Sequence, residues 1–536
     1  MSTPSPSPGT SARTTDAPHP FNLPSADLIL RTADLVDFRV HTLFLALASS
    51  FFATMLTLPQ PAADSAPSAP LAGTESGTPP VVPVSEDSAT LELLLRLVYP
   101  ISKPRAQMED PQTIVPALRA AVKYEMELPV DILSERLVAI IPKSPLQVWA
   151  AACRTGQEDV ACQAAVVLRT SWIRDDTKEV LSLMDDLGDM SGISAADYLR
   201  LKQFLKAEQS AIDEGFLTLL GPPIASPPAP QSVSSESPLP FSTKLPSPDV
   251  VCRSSSRMGS QTDFAAHQVV LSMYSPVLEA RLAELRDVGP ISEDRGSTPA
   301  AVVLDFDEDA DVLSALLKAC YSLGDTLPAD HARLAEVLVA SRKYKMVAIE
   351  RKAREAWDKA AALHPLEAYF VAINHGLHKC AEEAARNALR ESVVEYTAAM
   401  ESAPALAYHH LLVYFDACRQ IFKKHLEDIS QRIPDSVYAG QPGHYGYPQS
   451  IYTTAFKNAV TNYVASAHGV PTKATIQNGC QKKILNTMST EFGNITIHSL
   501  FVPLIECMTS AADAIESAIN DVRLQLVGAE RLDVDD

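Results

Sequence analysis

Apolar and polar residues change period along the chain in an order that occurs twice. Asp27-Leu-Ile-Leu-Arg31 and Leu35-Val-Asp-Phe-Arg-Val40 are short runs of branched and aromatic residues. They predict two strands, with Thr32-Ala-Asp34 as the turn between them. Thr42 to Leu58 is uncharged and largely apolar and stops at Pro59, which predicts one helix of the core. Val81-Val-Pro-Val84 resumes as a strand, and Ser85 is the expected cap of a helix whose Leu91, Leu94, Leu95 and Val98 fall at helical spacing. Asp110-Pro111 is a second start signal, for a helix that carries Ile114, Val115 and Leu118 and reaches Lys123-Tyr124. Another opens at Pro129, and from Pro145 to about Leu219 the pattern stays helical.

The series then restarts. Asp27 and Asp249 stand 222 positions apart, His41 and His267 226, Leu94-Leu95 and Leu316-Leu317 222, and Lys123-Tyr124 and Lys343-Tyr344 220. Asp37-Phe-Arg-Val-His41 returns as Asp263-Phe-Ala-Ala-His267, and the Leu and Ser four and eight places after the histidine, Leu45 and Ser49, return as Leu271 and Ser275. The register persists through the later helices, where Pro145-Leu146 matches Pro365-Leu366 and Gly156 matches Gly376. Drifts in the offset fall in loops, where insertions are tolerated. The chain therefore holds tandem copies at 21–140 and 243–360, with helical annexes at 141–220 and 361–434.

Composition changes this picture at the ends and joints. Residues 1–20 are Ser, Thr and Pro with no apolar core, so a disordered tail is expected rather than a signal peptide or an anchor. The Pro/Ala/Ser passage 59–80 reads as a flexible loop and 221–242 as a linker. Residues 435–536 have no counterpart and predict a helical C-terminal module with helices near 451–467, 473–488 and 500–527. The apolar run 43–58 falls short of the roughly 20 residues a bilayer needs, so no membrane contact is expected. With 65 acidic against 45 basic residues, the net charge of −20 opposes direct binding to nucleic acid. Eight scattered cysteines without a Cys-x-x-Cys pair suit reduced thiols and a cytoplasmic or nuclear location.

The order Asp, His, Leu, Ser, strand, capped helix ending in Tyr, then Lys-Tyr helix resembles the BTB (POZ) domain. The first copy supplies Asp27, His41, Leu45, Ser49, Phe52 and Tyr99, and the second supplies Asp249, His267, Leu271, Ser275-Pro276 and Tyr321. The annexes resemble truncated forms of the helical extension that often follows such domains, and the arrangement is similar to fungal, particularly basidiomycete, BTB-domain proteins. The resemblance implies an α+β fold, here predominantly helical overall, that binds other proteins and performs no catalysis. It also implies homodimerisation in many members, service as cullin-type ubiquitin-ligase adaptors in several, and transcriptional regulation in others. This chain departs from it at two places. The basic residue that directly follows the histidine in many dimeric members is Thr42 or Gln268 here, and the tail offers no exchanged N-terminal segment. Pairing of the two copies within one chain is therefore the leading expectation, with a homo-oligomer or another BTB protein as the other partner. The apolar-x-Glu sequence used for cullin docking occurs after the serine only in the second copy, at Glu279 and Glu284. A transcriptional co-regulator would need a DNA-binding module that the sequence does not display.

The remaining candidates for chemistry read better as structure. His41 and His267 sit where a strand hands over to a helix, so hydrogen bonding at that junction is expected of them. Asp37 and Asp263 precede them by four residues and complete no ligand set. Asp305-Phe-Asp-Glu-Asp-Ala-Asp311 alternates acids as a calcium loop does, but Ala310 and Leu316 stand where that loop needs glycine and a bidentate acid. A strand end followed by a helix cap, with Asp307 in the place of Ser85, explains the run. His375, His378 and Cys380 have no ligand-type counterparts in the first copy and lie at a helix junction. No phosphate loop, dinucleotide loop or serine elbow is present. No catalytic residue, metal ligand or cofactor is expected.

Overall fold

The computed structural model describes residues 14–57, 79–103, 108–174, 180–207, 247–255, 261–287, 302–321, 327–389, 395–432 and 512–526. Most of the 59–80 loop, the 221–242 linker and the expected helices at 451–467 and 473–488 lie outside the described residues. What is described divides into two compact units, one within 1–193 and 200–223, the other within 194–199 and 224–536.

In the first unit β1 (Thr15–Asp16), β2 (Leu28–Arg31) and β3 (Val36–Val40) come before α1 (Thr42–Ala48), α2 (Ser50–Thr57) and β4 (Val81–Pro83). The sheet order is β1-β3-β2-β4. β2 and β3 form an antiparallel hairpin with Leu30 opposite Phe38, while β1 and β4 lie parallel to their neighbours. The hairpin closes through Thr32 to Leu35, and Leu35 takes a left-handed φ of 63°.

β1 corrects the expectation of a disordered tail over the described residues 14–20, and residues 1–13 lie outside the described residues. Thr15 N–H donates to the Leu35 carbonyl at 3.0 Å and Ala17 N–H to the Asp37 carbonyl at 2.9 Å. Such a strand is held by backbone groups, which leave no apolar alternation in the sequence. Behind it Phe21 joins Leu28, Leu30, Phe38, Val40, Leu45, Phe52, Leu94 and Tyr99 in one buried cluster.

The single helix expected over 42–58 is two. Ser49 interrupts it with φ −146° and ψ 118°, and the break is explained by what its hydroxyl does. Ser49 Oγ accepts from Phe52 N–H at 3.0 Å, capping α2, and donates to the Tyr124 carbonyl at 2.5 Å. After β4 come α3 (Ser88–Val98), α4 (Pro111–Lys123) and α5 (Glu127–Ile140). The cap of α3 is Asp87, whose carboxylate accepts from Thr90 N–H at 2.8 Å, and not the expected Ser85. Asp110 caps α4, with Pro111 at its first position. The annex follows as α6 (Pro145–Thr155), α7 (Glu158–Arg174), α8 (Val180–Leu187) and α9 (Ala195–Lys206). Gly156 ends α6 at φ 70°, a left-handed turn that a side chain would strain.

The second unit repeats this plan. β5 (Val250–Arg253) and β6 (Asp263–Ala266) pair antiparallel, then come α10 (Gln268–Tyr274), α11 (Pro276–Asp287) and β7 (Val302–Asp305), which runs parallel to β5. Its described sheet has the order β6-β5-β7. Ser275 makes the same break, its Oγ donating to the Tyr344 carbonyl at 2.6 Å and accepting from Leu278 N–H at 3.0 Å. α12 (Ala310–Cys320) is capped by Asp309, not Asp307, and is followed by α13 (His331–Lys343) and α14 (Val347–Leu363). α15 (Pro365–Asn374) is capped by His375 and followed by left-handed Gly376, the counterpart of Gly156. α16 (His378–Ala388), a 3-10 turn at Ala398–Glu401 and α17 (Ala405–Arg432) complete the annex. Of the C-terminal module, a helix over 512–520 is described. It buries Ala512, Ile515 and Ile519 and ends seven residues before the expected 527.

Candidate functional site: repeated junctions and exposed helix faces

The residues that recur in both copies gather at the end of the hairpin. In the first copy, His41 is the residue before α1. Its backbone N–H donates to Tyr99 Oη at 2.7 Å, and that oxygen lies 3.3 Å from His41 Nδ1, with Ser25 Oγ 3.0 Å from Nε2. Asp27 accepts from Thr42 N–H at 2.7 Å and from Thr42 Oγ1 at 2.6 Å. Burial pushes the Asp27 carboxyl up, but the two bonds from Thr42 outweigh it and hold it below its ordinary value. In the second copy His267 N–H donates to Tyr321 Oη at 2.8 Å, Nδ1 lies 2.8 Å from the same oxygen, and Asp249 accepts from Gln268 N–H at 2.8 Å. Burial raises both phenols, Tyr321 to about 12, so each keeps its proton while accepting from the histidine N–H. The aspartate thus anchors the first amide of a helix, and the histidine and tyrosine tie the strand end to the end of α3 or α12. The residue after each histidine serves the aspartate through its backbone N–H, which both Thr42 and Gln268 possess.

Asp37 and Asp263 stand apart from their histidines. Each closes a two-bond ion pair across its hairpin, Asp37 with Arg31 at 2.7 and 2.8 Å and Asp263 with Arg253 at 2.8 and 3.1 Å. Arg31 holds the Asp37 carboxyl below the usual range. Leu45 and Leu271 are buried, and Ser49 and Ser275 form the breaks described above. The acidic run at 305–311 is divided among structural partners. Lys343 Nζ donates to Asp307 and Glu308 at 2.8 Å each, Asp309 caps α12, and Asp311 pairs with Arg333 at 3.5 Å. His375 ends α15, His378 begins α16, and Cys380 Sγ lies 3.2 Å from Arg354 Nη1.

One repeated arrangement had no interpretation from sequence beyond the Lys-Tyr match. Lys123 Nζ donates to Glu86 Oε1 at 2.8 Å and Tyr124 Oη donates to Glu86 Oε2. Lys343, Tyr344 and Glu308 repeat it, with the tyrosine bond at 2.6 Å. The available signal was that Glu86 and Glu308 are themselves 222 positions apart.

The first helix of each copy exposes large apolar side chains. The helix expected to be core is only half so, because Leu45 is buried whereas Leu43 is 64% and Leu47 76% exposed. The corresponding residues of α10, Val269 and Met273, are 68% and 78% exposed. On α11, Leu278 and Leu282 are buried beneath exposed Glu279 and Glu284.

Each copy is thus an α+β interaction module, a hairpin-centred sheet locked to helices by hydrogen bonds, with an apolar helix face left open. The BTB/POZ domain model matches residues 22–140 and again 244–360, and the chain is a tandem BTB-domain protein. BTB domains bind protein partners and mediate dimerisation. No curated protein and no solved structure matches the chain.

Proposed function

We propose that the protein is a non-enzymatic scaffold that collects protein partners on two tethered BTB domains. The duplicated exposed stripe carries this reading: Leu43 and Leu47 on α1, Val269 and Met273 on α10, in the same register after each histidine. Large apolar side chains exposed twice at matching positions mark a surface that water covers only until a partner does. The fitting partner is a like face, an apolar helix on another BTB-type domain. The two copies themselves act as an intramolecular pair, since a flexible tether holds each at an effective concentration of about a millimolar for the other. Cys162, Cys252, Cys320, Cys380 and Cys418 are thiols, which supports a cytoplasmic or nuclear setting.

Size-exclusion chromatography with light scattering on the full chain tests this. A monomer mass at low concentration that rises with concentration is expected, and Leu47→Glu with Met273→Glu should abolish the rise. A dimer mass at every dilution would overturn the intramolecular pair, and association indifferent to the two charges would overturn the stripe.

Service as a cullin adaptor is the second reading, supported by the exposure of Glu279 and Glu284 on α11, which α2 does not match with any acid. Capture of a cullin N-terminal domain, lost on Glu279→Lys with Glu284→Lys, is the outcome it requires. Binding that survives both reversals, or no binding at all, removes it.

A further inference from the structure

The two hairpins differ at their outer edge. In the first unit Thr15 and Ala17 N–H donate to the carbonyls of Leu35 and Asp37, and Arg39 N–H donates to the Phe21 carbonyl at 2.8 Å. Phe21 is fully buried, 5.7 Å from the Phe38 ring and 5.4 Å from that of Tyr99, which it meets edge to face. A strand and the aromatic anchor that follows it thus close the edge of β3. By the repeat, the matching groups of the second unit are the carbonyls of Gln261 and Asp263 and the Ala265 N–H, with Phe264 and Tyr321 as the aromatic walls. β6 is the outermost strand of its described sheet, and among the described residues no group bonds to these three. The ion pairs register the difference. The Asp37 side chain is 12% exposed beside Arg31, whereas Asp263 beside Arg253 is 49% exposed.

The sequence names what fits that edge. Thr14-Thr-Asp-Ala-Pro-His-Pro-Phe21 returns at an offset of 220 as Ser234-Ser-Glu-Ser-Pro-Leu-Pro-Phe241. Two residues are then inserted, and Leu23-Pro-Ser25 returns at an offset of 222 as Leu245-Pro-Ser247. Matched serines and prolines count for little in a passage made of both, so the acid and the ring decide. Glu236 is the one charged residue between Glu214 and Lys244, and Phe241 the one aromatic between Phe216 and Phe264. They fall on Asp16 and Phe21. Residues 234–241 lie outside the described residues. We infer that this segment docks on β6 as the second unit's own edge strand. Ser235-Glu236 pairs parallel with Thr262-Asp263 as Thr15-Asp16 pairs with Val36-Asp37, and Phe241 seats against Phe264 and Tyr321.

Backbone chemistry agrees with that register. The two N–H groups the edge requires belong to Ser235 and Ser237, neither of them proline. Pro238 and Pro240 stand beyond the last donor, as Pro18 and Pro20 do, where a missing N–H removes no bond. The two inserted residues fall between the aromatic anchor and β5, where a slightly longer loop costs little. The second domain then begins near 234 instead of 243, and its β6 edge is filled from within the chain.

Hydrogen exchange and cross-linking on the full chain test this. The Ala265 amide should be protected as the Arg39 amide is, equally at every protein concentration. Phe241→Ala should speed its exchange at least ~tenfold, equivalent to ~1.4 kcal/mol, while amides of α12 keep their protection. Ser235→Cys with Thr262→Cys should form a disulfide on mild oxidation, identified by mass spectrometry of the linked peptides, and Val233→Cys with Thr262→Cys should not. That readout does not depend on the phenylalanine. An Ala265 amide that exchanges fast in the unaltered chain, or that Phe241→Ala leaves unchanged, overturns the assignment. Cross-linking indifferent to register does so too. Protection that rises with concentration also overturns it, because the edge would then be filled by a strand of another chain.

Discussion

Ser275→Ala isolates the hydroxyl that divides the helical run after each histidine. Ser275 is fully buried, and its oxygen makes two bonds: to the Tyr344 carbonyl at 2.6 Å and from Leu278 N–H at 3.0 Å. Loss of a helix cap costs about 1 kcal/mol. The buried carbonyl deprived of its donor adds roughly 1–3 kcal/mol, so a total of about 2–4 kcal/mol is expected. Trp357, buried in the second unit, reports on this unit once Trp149 and Trp172, the two other tryptophans, are changed to Phe. In urea unfolding followed by its fluorescence, the midpoint should fall while the slope m stays constant. With m of roughly 1–3 kcal/mol per molar, the displacement is about 1 M or more. Ser49→Ala should behave alike in the first unit, because its bonds to the Tyr124 carbonyl and Phe52 N–H have the same geometry. A loss below about 0.5 kcal/mol in both copies would mean that water or a shifted backbone replaces the hydroxyl, and that the break between the helices has another cause.

Acid should act on the first unit through Asp34, Asp37 and Glu86. Ser88 holds Asp34 low, Arg31 holds Asp37 low, and for Glu86 the bonds from Lys123 and Tyr124 outweigh a burial that by itself raises it. Groups depressed in the folded state contribute fully above their unfolded values and lose that contribution as pH falls through the folded ones. Urea midpoints should therefore hold level from neutrality down to the ordinary glutamate and aspartate values of 4.5 and 3.8 and decline below them, less steeply in Glu86→Gln; a decline that begins nearer neutrality would contradict the assignment. Burial pushes the Cys252 and Cys320 thiols up to about 12. Mass spectrometry after maleimide treatment should find both unlabelled in the native protein and labelled in urea, and rapid native labelling of Cys252 would refute the packing of β5.

The duplication could be read directly because the repeated residues carry chemistry in their side chains. An aspartate that anchors an amide, a histidine that precedes a helix and a serine that turns one cannot be exchanged freely, so their spacing survives as text. The helix break at Ser49 was hidden for the opposite reason. Both flanking segments are apolar and helical, and the decisive bond runs to a carbonyl 75 residues away. Capping was misplaced by two residues because Ser85-Glu-Asp-Ser88 holds several acceptors. Only the fold shows that Ser85 accepts from Lys123 Nζ at 2.7 Å, which leaves Asp87 to cap. The exposure of Leu43 and Leu47 was likewise masked, since a helix apolar on every side does not announce which side its own domain will cover.

The strand at Thr15–Asp16 bears on how the protein is best produced. Residues 1–20 look dispensable by composition, and a recombinant fragment begun at Phe21 would be the natural choice. Such a fragment would lose β1 and strip the Leu35 and Asp37 carbonyls of the N–H groups of Thr15 and Ala17. The edge of β3 would then lie open, and an unpaired edge is a template on which chains stack. Poor solubility of that fragment would be an artefact of where it was cut, and a start before Thr14 would avoid it.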